Sequence, residues 1–190
     1  MSGLVAVSYF LISVIFGMTT LVLWLRFGLR YFRISPLHPV RQIIQRMTDP
    51  IFHPLQRAAQ FRLTPVQRYD WLCFVVLVGV EWLKSMIISI LYFGHTRDWI
   101  LTGAYTVVAL ITQPCDLLFY ALLIRAIMSW INPHWHHPLA TLLFSVTEPL
   151  LQQIRRYIPI IAGLDFSPFI TMILLKAIAL FVSASLPFHI

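Results

Sequence analysis

Charged residues are scarce in this sequence. Asp, Glu, Lys and Arg together account for 11% of its 190 residues, against about 25% in a typical water-soluble domain. Hydrophobic residues account for 59%, and the mean hydropathy is +0.80. A soluble fold of this size cannot bury so much apolar surface. The shortage of charge therefore excludes a water-soluble domain, and it indicates that a lipid bilayer is the main solvent of the chain.

Cysteine is also nearly absent, with two residues, Cys73 and Cys115. Both fall inside apolar segments, so we expect free thiols that pack as small apolar side chains, and no disulfide framework. The sequence also lacks a Gly-rich phosphate loop, a nucleophile elbow and an acid–base pair suited to an aqueous cleft. We therefore expect no catalytic residues, no cofactor and no enzymatic activity.

Long apolar segments, in contrast, are abundant. Those that reach the length of about 20 residues needed to span a membrane are Leu4–Phe32, Trp71–Phe93, Trp99–Ile131 and Pro168–Phe188. The first segment is not typical of a cleavable signal peptide, because it lacks a basic leading region and its apolar run is too long. These segments predict an all-α membrane protein with four transmembrane helices.

The basic residues are concentrated in two places. Seven arginines lie at the end of the first segment or between it and the second: Arg30, Arg33, Arg41, Arg46, Arg57, Arg62 and Arg68. Arg155 and Arg156 lie between the third and fourth segments. The connection between the second and third segments has only Arg97, beside Asp98. By the positive-inside rule, both long connections face the cytoplasm and both termini face outward. We expect these arginines to contact anionic lipid headgroups, not nucleic acid.

An internal repeat is visible at a spacing of 99 positions. Identical residues at this spacing are Arg26 and Arg125, His38 and His137, Pro39 and Pro138, Thr48 and Thr147, Pro50 and Pro149, and Arg57 and Arg156. Asp49 and Glu148 form a conservative pair. The repetition predicts two units, residues 1–95 and 96–190, each consisting of a span, a linker and a span. Because each unit has an even number of spans, both insert with the same polarity, which makes them parallel repeats.

The two linkers show apolar residues at helical spacing, such as Ile43, Ile44 and Met47 in the first. A residue that precedes proline disfavours helical conformation, so we predict a helix break at Asp49-Pro50 and at Glu148-Pro149. Each linker then forms two short amphipathic helices of about 12–15 Å that lie in the cytoplasmic interface. The alternative is a soluble helical hairpin.

Ionisable residues inside the spans are costly, and they mark either structural pairing or a pathway. They are Arg26, Glu81, Lys84, Asp116, Arg125 and Lys176. Depth counted along each helix predicts that Glu81 pairs with Lys176. The same count pairs Lys84 with Asp116, although Lys84 and Glu81 are also neighbours on one helix.

The two repeat-matched arginines, Arg26 and Arg125, could reach the acids of their own linkers. Arg26 has Asp49 or Asp70 within reach, and Arg125 has Glu148 or Asp165. Structural pairing that fixes the helix register is the first interpretation of all these charges.

A polar track for an ion or a proton through Glu81, Lys84, Asp116 and Lys176 is the alternative interpretation. Pro114 favours it, because a proline in a helix frees the carbonyl group of the residue four positions earlier and so adds an oxygen ligand near Asp116.

Two further features have structural interpretations. His134, His136 and His137 could bind a transition metal, but no cysteine or acid lies near them in sequence, so we expect no metal site. Ser167 is expected to cap the fourth span, with Asp165 adding negative charge at the positive end of that helix.

The segments "RAIMSWINP" and "LLFSVTEPLLQQIRRYIPIIAGLDFSPFI" resemble the signature of the YggT family of small integral membrane proteins. The resemblance covers essentially the whole chain, in the two-copy form typical of proteobacterial members. Its motif residues include Thr147, Glu148, Arg155, Arg156 and Asp165. The first copy departs from the signature, with Ser35-Pro36 in place of Asn-Pro.

The resemblance implies a bacterial inner-membrane protein with no enzymatic activity. Family members are linked to tolerance of osmotic or other envelope stress, and relatives in chloroplasts to cytochrome assembly. The predicted function is therefore a non-enzymatic role in envelope or osmotic homeostasis, as an interaction or assembly factor that binds a membrane-protein partner or a second copy of itself. The alternative is a small ion channel or transport subunit that uses the intramembrane charges.

Overall fold

The computed structural model describes residues 3–58, 71–93, 99–131, 137–157 and 165–186. These ranges contain helices and no strand, which confirms the predicted all-α class. The helices are α1 (Gly3–Tyr31), α2 (Pro39–Ala58), α3 (Trp71–Phe93), α4 (Trp99–Ile131), α5 (Pro138–Arg155) and α6 (Ser167–Ala184).

Four of these helices, α1, α3, α4 and α6, are long and apolar enough to cross a membrane. The bounds of α3 and α4 agree with the predicted spans, and α1 and α6 each begin one residue earlier than predicted. Many of their apolar side chains are exposed, among them Leu4, Phe10 and Ile15 on α1. That exposure is expected where lipid, not protein, solvates the helix.

The helices α1 and α4 are longer than a bilayer requires. They have 29 and 33 residues, which corresponds to about 43 and 50 Å at a rise of about 1.5 Å per residue. The hydrocarbon core is only about 30 Å thick. Arg26 and Arg125 lie in the last two turns of these helices, so the extra length allows both arginines to sit at the edge of the core.

The linker helices α2 and α5 each continue through a proline, so the predicted breaks before Pro50 and Pro149 are wrong. Each proline leaves the carbonyl group four residues earlier without its helical donor. With Pro54, which also lies inside α2, those carbonyls belong to Arg46, Pro50 and Ser145, and all three residues are exposed. Water can therefore satisfy the freed groups, and the helix does not have to end. With 20 and 18 residues, the helices are about 30 and 27 Å long.

The first compact unit, residues 1–110, contains α1, α2, α3 and the beginning of α4. In it α1 packs against both α2 and α3. A core cluster consists of Leu23, Phe52, Cys73 and Leu77, and the Cys73 thiol, which forms no disulfide, donates to the Leu23 carbonyl at 3.5 Å. Residues from all three helices thus meet in one cluster, with two of the four contributed by α3.

The second compact unit, residues 111–190, contains the remainder of α4 with α5 and α6. Its core is formed by Leu122, Leu151 and Leu175, one from each helix, with the free cysteine Cys115 packed against it. The compact units divide inside α4, whereas the predicted sequence repeats divide at 95/96. Trp82 and Trp99 explain part of this difference, because their rings lie 6.5 Å apart and attach the start of α4 to α3.

Candidate functional site

Arg26 connects α1 to α2 through what we call the first arginine site (Arg26, Thr48, Asp49 and Phe52). Its Nη1 donates to Asp49 Oδ1 at 3.0 Å and also to the hydroxyl oxygen of Thr48. Its guanidinium carbon lies 4.1 Å from the centroid of the Phe52 ring, a cation–π contact. The site therefore combines a charge pair, a neutral acceptor and an aromatic face around one mostly buried cation.

Arg125 connects α4 to α5 in the second arginine site (Arg125, Phe144, Thr147 and Glu148). Its Nη1 donates to Thr147 Oγ1, and its Nη2 donates to Glu148 Oε2, both at 2.7 Å. The Phe144 ring centroid lies 4.3 Å from the guanidinium carbon. In both linkers the repeated phrase Thr, acid, Pro thus supplies a threonine and an acid that accept hydrogen bonds from an arginine of the preceding spanning helix.

The threonines are positioned by their own helices. Thr48 donates its hydroxyl hydrogen to the Ile44 carbonyl at 2.8 Å, and Thr147 donates to the Leu143 carbonyl at 2.6 Å. Because a hydroxyl has one hydrogen and two lone pairs, this bond leaves the oxygen available to accept from the arginine.

The second site continues into α6. Arg155 Nη1 donates to Glu148 Oε1 at 2.8 Å, and its Nη2 donates to Asp165 Oδ2 at 2.6 Å. Asp165 Oδ1 then accepts the backbone N–H of Ser167 at 3.0 Å, where α6 begins. The predicted capping role of Ser167 is therefore wrong, because Asp165 supplies the acceptor. Arg156, the other motif arginine, is exposed.

The charges of this network stabilise one another. Burial raises the pKa of Glu148, but the hydrogen bonds and charges of Arg125 and Arg155 outweigh it, and the pKa lies below its ordinary value. Burial likewise raises the pKa of Asp165, and bonds from Ser167 and Arg155 lower it below its ordinary value. The bond to Asp165 raises the pKa of Arg155. Both acids are therefore ionised at neutral pH.

Each compact unit contains an ion pair between intramembrane charges. Within the first unit, Lys84 Nζ lies 3.5 Å from Oε2 of the buried Glu81. Within the second unit, Lys176 Nζ donates to Asp116 Oδ1 at 2.6 Å. The pair of Lys84 with Glu81 agrees with their position as neighbours on one helix. The pairs predicted from depth, Glu81 with Lys176 and Lys84 with Asp116, would join the two units and stay predictions.

Two aromatic residues near the second pair are functional candidates that the sequence reasoning missed. Lys176 Nζ lies 4.8 Å from the ring centroid of Phe119 and 5.7 Å from that of Tyr120. Their signal was present, because both rings follow Asp116 by about one helical turn. The two rings do not bury the ion pair, because the side chains of Asp116 and Lys176 are 43% and 38% exposed.

A metal site finds no support in the part of the chain that the structure describes. No group of three or more His, Cys, Asp or Glu side chains there could hold a metal ion. His134 and His136 lie outside the described residues. His137 has a structural role instead, since its Nδ1 accepts the backbone N–H of Leu139 at 3.2 Å where α5 begins.

The described residues contain four apolar helices of spanning length, which define a multi-pass helical membrane protein. Two of these helices, α1 and α4, are each bonded through an arginine to the linker helix that follows. The family model described as CCB3/YggT matches the chain twice, over residues 5–91 and 104–186. The protein belongs to this family. The two matches agree with the duplication seen in the sequence.

Similar proteins are found in several bacteria. The chain is 34% identical over 171 residues to an uncharacterised protein of Vibrio alginolyticus from the proC 3' region, covering 86% of each chain. It is 32% identical over 165 residues to an uncharacterised protein of Haemophilus influenzae, covering 86% of this chain and 84% of the other. It is 30% identical over 169 residues to the uncharacterised protein YggT of Escherichia coli K12, covering 89% and 85%. No solved structure matches the chain.

Proposed function

We propose that this protein is a non-enzymatic interaction or assembly factor of the bacterial inner membrane that supports envelope homeostasis under osmotic stress. The observation that carries the proposal is the pair of arginine sites. Each one holds a linker helix against a spanning helix by two hydrogen bonds and a cation–π contact. A helix held in this way presents a fixed outer surface, which is what a docking element requires.

The proposed orientation places both linker helices in the cytoplasmic interface, with the termini outside and the two repeats parallel. The excess of arginine in the long connections supports this orientation through the positive-inside rule. Even-numbered spans in each repeat support the parallel arrangement.

The side chains of α2 support an interfacial, amphipathic position. Three stripes run along it at helical spacing, and their members are the buried Ile44, Thr48 and Phe52, the exposed apolar Ile43 and Met47, and the exposed polar Gln42, Arg46 and His53. A helix with three such faces fits three surroundings at once: the spanning helices, the acyl chains and the cytoplasm. The polar stripe is then the surface open to a partner.

The helix α5 follows the same plan. Thr147 and Leu151 are buried, and Leu139 is exposed and apolar. Thr141, Ser145 and Gln152 form an exposed polar stripe. The partner expected on these stripes is another membrane protein or a second copy of the chain, and the nearby arginines favour an anionic leaflet.

Site-specific photo-cross-linking in native membranes tests the proposal. A photoreactive residue is placed at Arg46 or Gln152 on the polar stripes, and at Leu180, which is exposed on the spanning helix α6. We expect discrete protein adducts from the two linker positions and lipid adducts from Leu180. A deletion strain should also lose tolerance of osmotic shock. Protein adducts at neither linker position, together with unchanged osmotic tolerance, would contradict the proposal.

The second candidate function is a small ion channel or transport subunit. The half-exposed pair of Asp116 and Lys176 favours it, because an ion pair in a span is costly unless water or a partner meets it. Cation flux into liposomes should then fall in Asp116→Asn and Glu81→Gln, and remain in Arg46→Gln. Flux that is equal in all four proteins, the wild type included, excludes this candidate.

A further inference from the structure

The ion pair of the second unit lies deep in its two spanning helices. Asp116 stands nine residues before Arg125 on α4, and Lys176 stands nine residues after Ser167 on α6. Nine residues correspond to about 13 Å along a helix. Because the hydrocarbon core is about 30 Å thick, the pair lies near the middle of the core when Arg125 lies at its edge.

The chain leaves this ion pair half-exposed, although Lys176 donates to Asp116 at 2.6 Å. An exposed apolar side chain on a span needs no explanation, because it can meet lipid. Charged groups at this depth almost always face the interior of a helix bundle or a cavity filled with water, since hydrocarbon does not solvate a charge. The first unit meets this requirement, because its acid Glu81 is 1% exposed. The pair of the second unit therefore requires further polar neighbours.

The exposed face of α4 beside the pair has the spacing of a helix-packing surface. Tyr120, Leu123 and Ile127 are exposed, and they follow Asp116 by four, seven and eleven residues. This alternation of four and three residues is typical of the seam between two packed helices. We call these four residues the α4 seam. It presents an acid, a ring with a hydroxyl group and two aliphatic side chains on one face, and Lys176 lies beside the acid.

The first repeat lacks the polar members of the seam. At the spacing of 99 positions, Asp116 corresponds to Gly17 and Tyr120 to Leu21. Both repeats nevertheless bond a spanning helix to its linker helix through an arginine. The charge and the hydroxyl group on α4 are therefore additions that the arginine sites do not explain.

We propose that the α4 seam is the interface of a homodimer whose two-fold axis runs along the membrane normal. In a two-fold interface, residue i of one copy meets residue j of the other, and j meets i. Copies that insert with the same polarity meet at equal depth, and the hydrogen bond holds Asp116 and Lys176 at nearly equal depth. The axis therefore brings Asp116 of each copy opposite Lys176 of the other, so that the four charges alternate in sign.

Such a dimer gives each charge a second neighbour of opposite sign and removes the pair from lipid. A pair of one acid and one base is complementary to its own copy, which a single exposed charge is not. The inference rests on the proposed function only in that a second copy is one of the partners named there. It assigns that copy to α4, a different part of the molecule from the linker helices.

Förster transfer between donor-labelled and acceptor-labelled full-length chains in phosphatidylcholine vesicles tests the proposal over a range of protein-to-lipid ratios. Asp116→Lys places two positive charges at the interface, and Lys176→Asp places two negative charges there. Each variant should repel its own copies, and the two should attract one another. Arg33→Glu is the matched control, because it makes the same change of charge as Lys176→Asp at an exposed residue of the first unit.

We expect the wild type and Arg33→Glu to dimerise alike, and each reversed variant to dimerise with itself about tenfold more weakly or worse. A mixture of the two reversed variants should regain transfer. A merely structural pair does not predict this recovery, because reversal breaks it in both chains and mixing does not repair it. A monomeric wild type, or reversed variants that dimerise as tightly as the wild type, overturns the proposal. If the reversed variants fail to fold, the following cross-link decides.

Cysteine cross-linking leaves the ion pair intact. In a chain with Cys73→Ala and Cys115→Ala, Leu123→Cys places a single thiol on the α4 seam. Leu174→Cys is the control, because it is exposed on α6 and two residues turn a helix by about 200°, so it lies on the far side from Lys176. Oxidation in vesicles should join two copies through the first thiol and not through the second. Equal cross-linking of the two, or none in either, overturns the proposal.

The dimer and the docking of partners on the linker helices are tested separately. Photo-cross-links at Arg46 and Gln152 report on α2 and α5, whereas the charge reversals and the Leu123→Cys cross-link report on α4 and its neighbour α6. Failure of either proposal therefore leaves the other unaffected.

Discussion

The two arginine sites share their bonds but differ in what surrounds them. In both, an arginine near the end of a spanning helix donates to a threonine and to the acid that follows it. The acid of the first site, Asp49, forms an ion pair with Arg26, and a cleft lined in part by Arg30 and Arg41 lies beside it. The acid of the second site, Glu148, also binds Arg155, which leads on to Asp165 and the start of α6.

The sequence difference behind this contrast is small. Arg155 corresponds to Gln56 at the spacing of 99 positions, so the first linker lacks the second arginine of the network. The comparison teaches that the connection between spanning helix and linker helix is the shared structural element. The surroundings differ, because the network of the second copy extends through Arg155 and Asp165 to the start of α6.

Removing the linker acid should have the largest effect, and a larger one in the second copy. Glu148→Gln leaves Arg125 without its charged partner and removes one of the two acids that Arg155 binds, so we expect a loss of about 2–4 kcal/mol in unfolding free energy. Asp49→Asn affects only Arg26 among these cations and should cost about 1–2 kcal/mol. Unfolding by SDS in mixed micelles measures both values. Equal losses would remove the distinction between the two sites.

Acid should weaken the second site as carboxylates are protonated. The ordinary pKa values of Glu148 and Asp165 are 4.5 and 3.8, and the folded values lie lower. Their contribution is therefore complete above about pH 5 and is lost as the pH falls through the folded pKa values. The Tm difference between the wild type and Glu148→Gln/Asp165→Asn should shrink from pH 7 to pH 3. A difference that is constant with pH would mean that the two acids do not stabilise the fold through their charge.

The two neighbouring arginines of α5 should behave differently. Arg155→Gln makes the second linker resemble the first and breaks two ion pairs, with an expected loss of about 1–2 kcal/mol. Arg156→Gln changes an exposed residue and should alter stability by less than about 0.5 kcal/mol. The same SDS titration compares them. A loss in Arg156→Gln as large as that in Arg155→Gln would contradict the network.

Substitution of the aromatic residues should give the smallest losses of unfolding free energy. Here the first copy should lose more than the second. Phe52 is 1% exposed and packs in the core of its unit, whereas Phe144 is 44% exposed. We expect Phe52→Leu to cost about 1–1.5 kcal/mol, from packing and the lost cation–π contact, and Phe144→Leu about 0.5 kcal/mol. A larger loss in Phe144→Leu than in Phe52→Leu would show that the contact of the ring with the arginine, not the burial of the ring, determines its contribution to stability.

Much of the fold could be predicted because the bilayer imposes it. A spanning helix needs an apolar run of a set length, so the bounds of α3 and α4 followed from hydropathy alone. The spacing of 99 positions singled out two arginines, Arg26 and Arg125, and two acids, Asp49 and Glu148. The structure pairs Arg26 with Asp49 and Arg125 with Glu148.

Features that depend on packing or solvent access could not be predicted. The continuity of α2 through Pro50 depends on which face the freed carbonyl occupies, and sequence alone does not reveal that face. The pairing of Lys176 with Asp116 depends on helix rotation and tilt. The end of α1 meets the start of α2 at a small cleft, so residues that are separated in sequence, such as Arg30 and Gln45, share one surface.

A pair of double-mutant cycles measures the central connection most directly. One cycle combines Arg125→Gln with Glu148→Gln, and the other combines Arg26→Gln with Asp49→Asn, each followed by SDS unfolding. If each arginine holds its linker helix through the acid, both cycles should give coupling energies of about 1–3 kcal/mol. Coupling within error of zero in folded proteins would contradict that account.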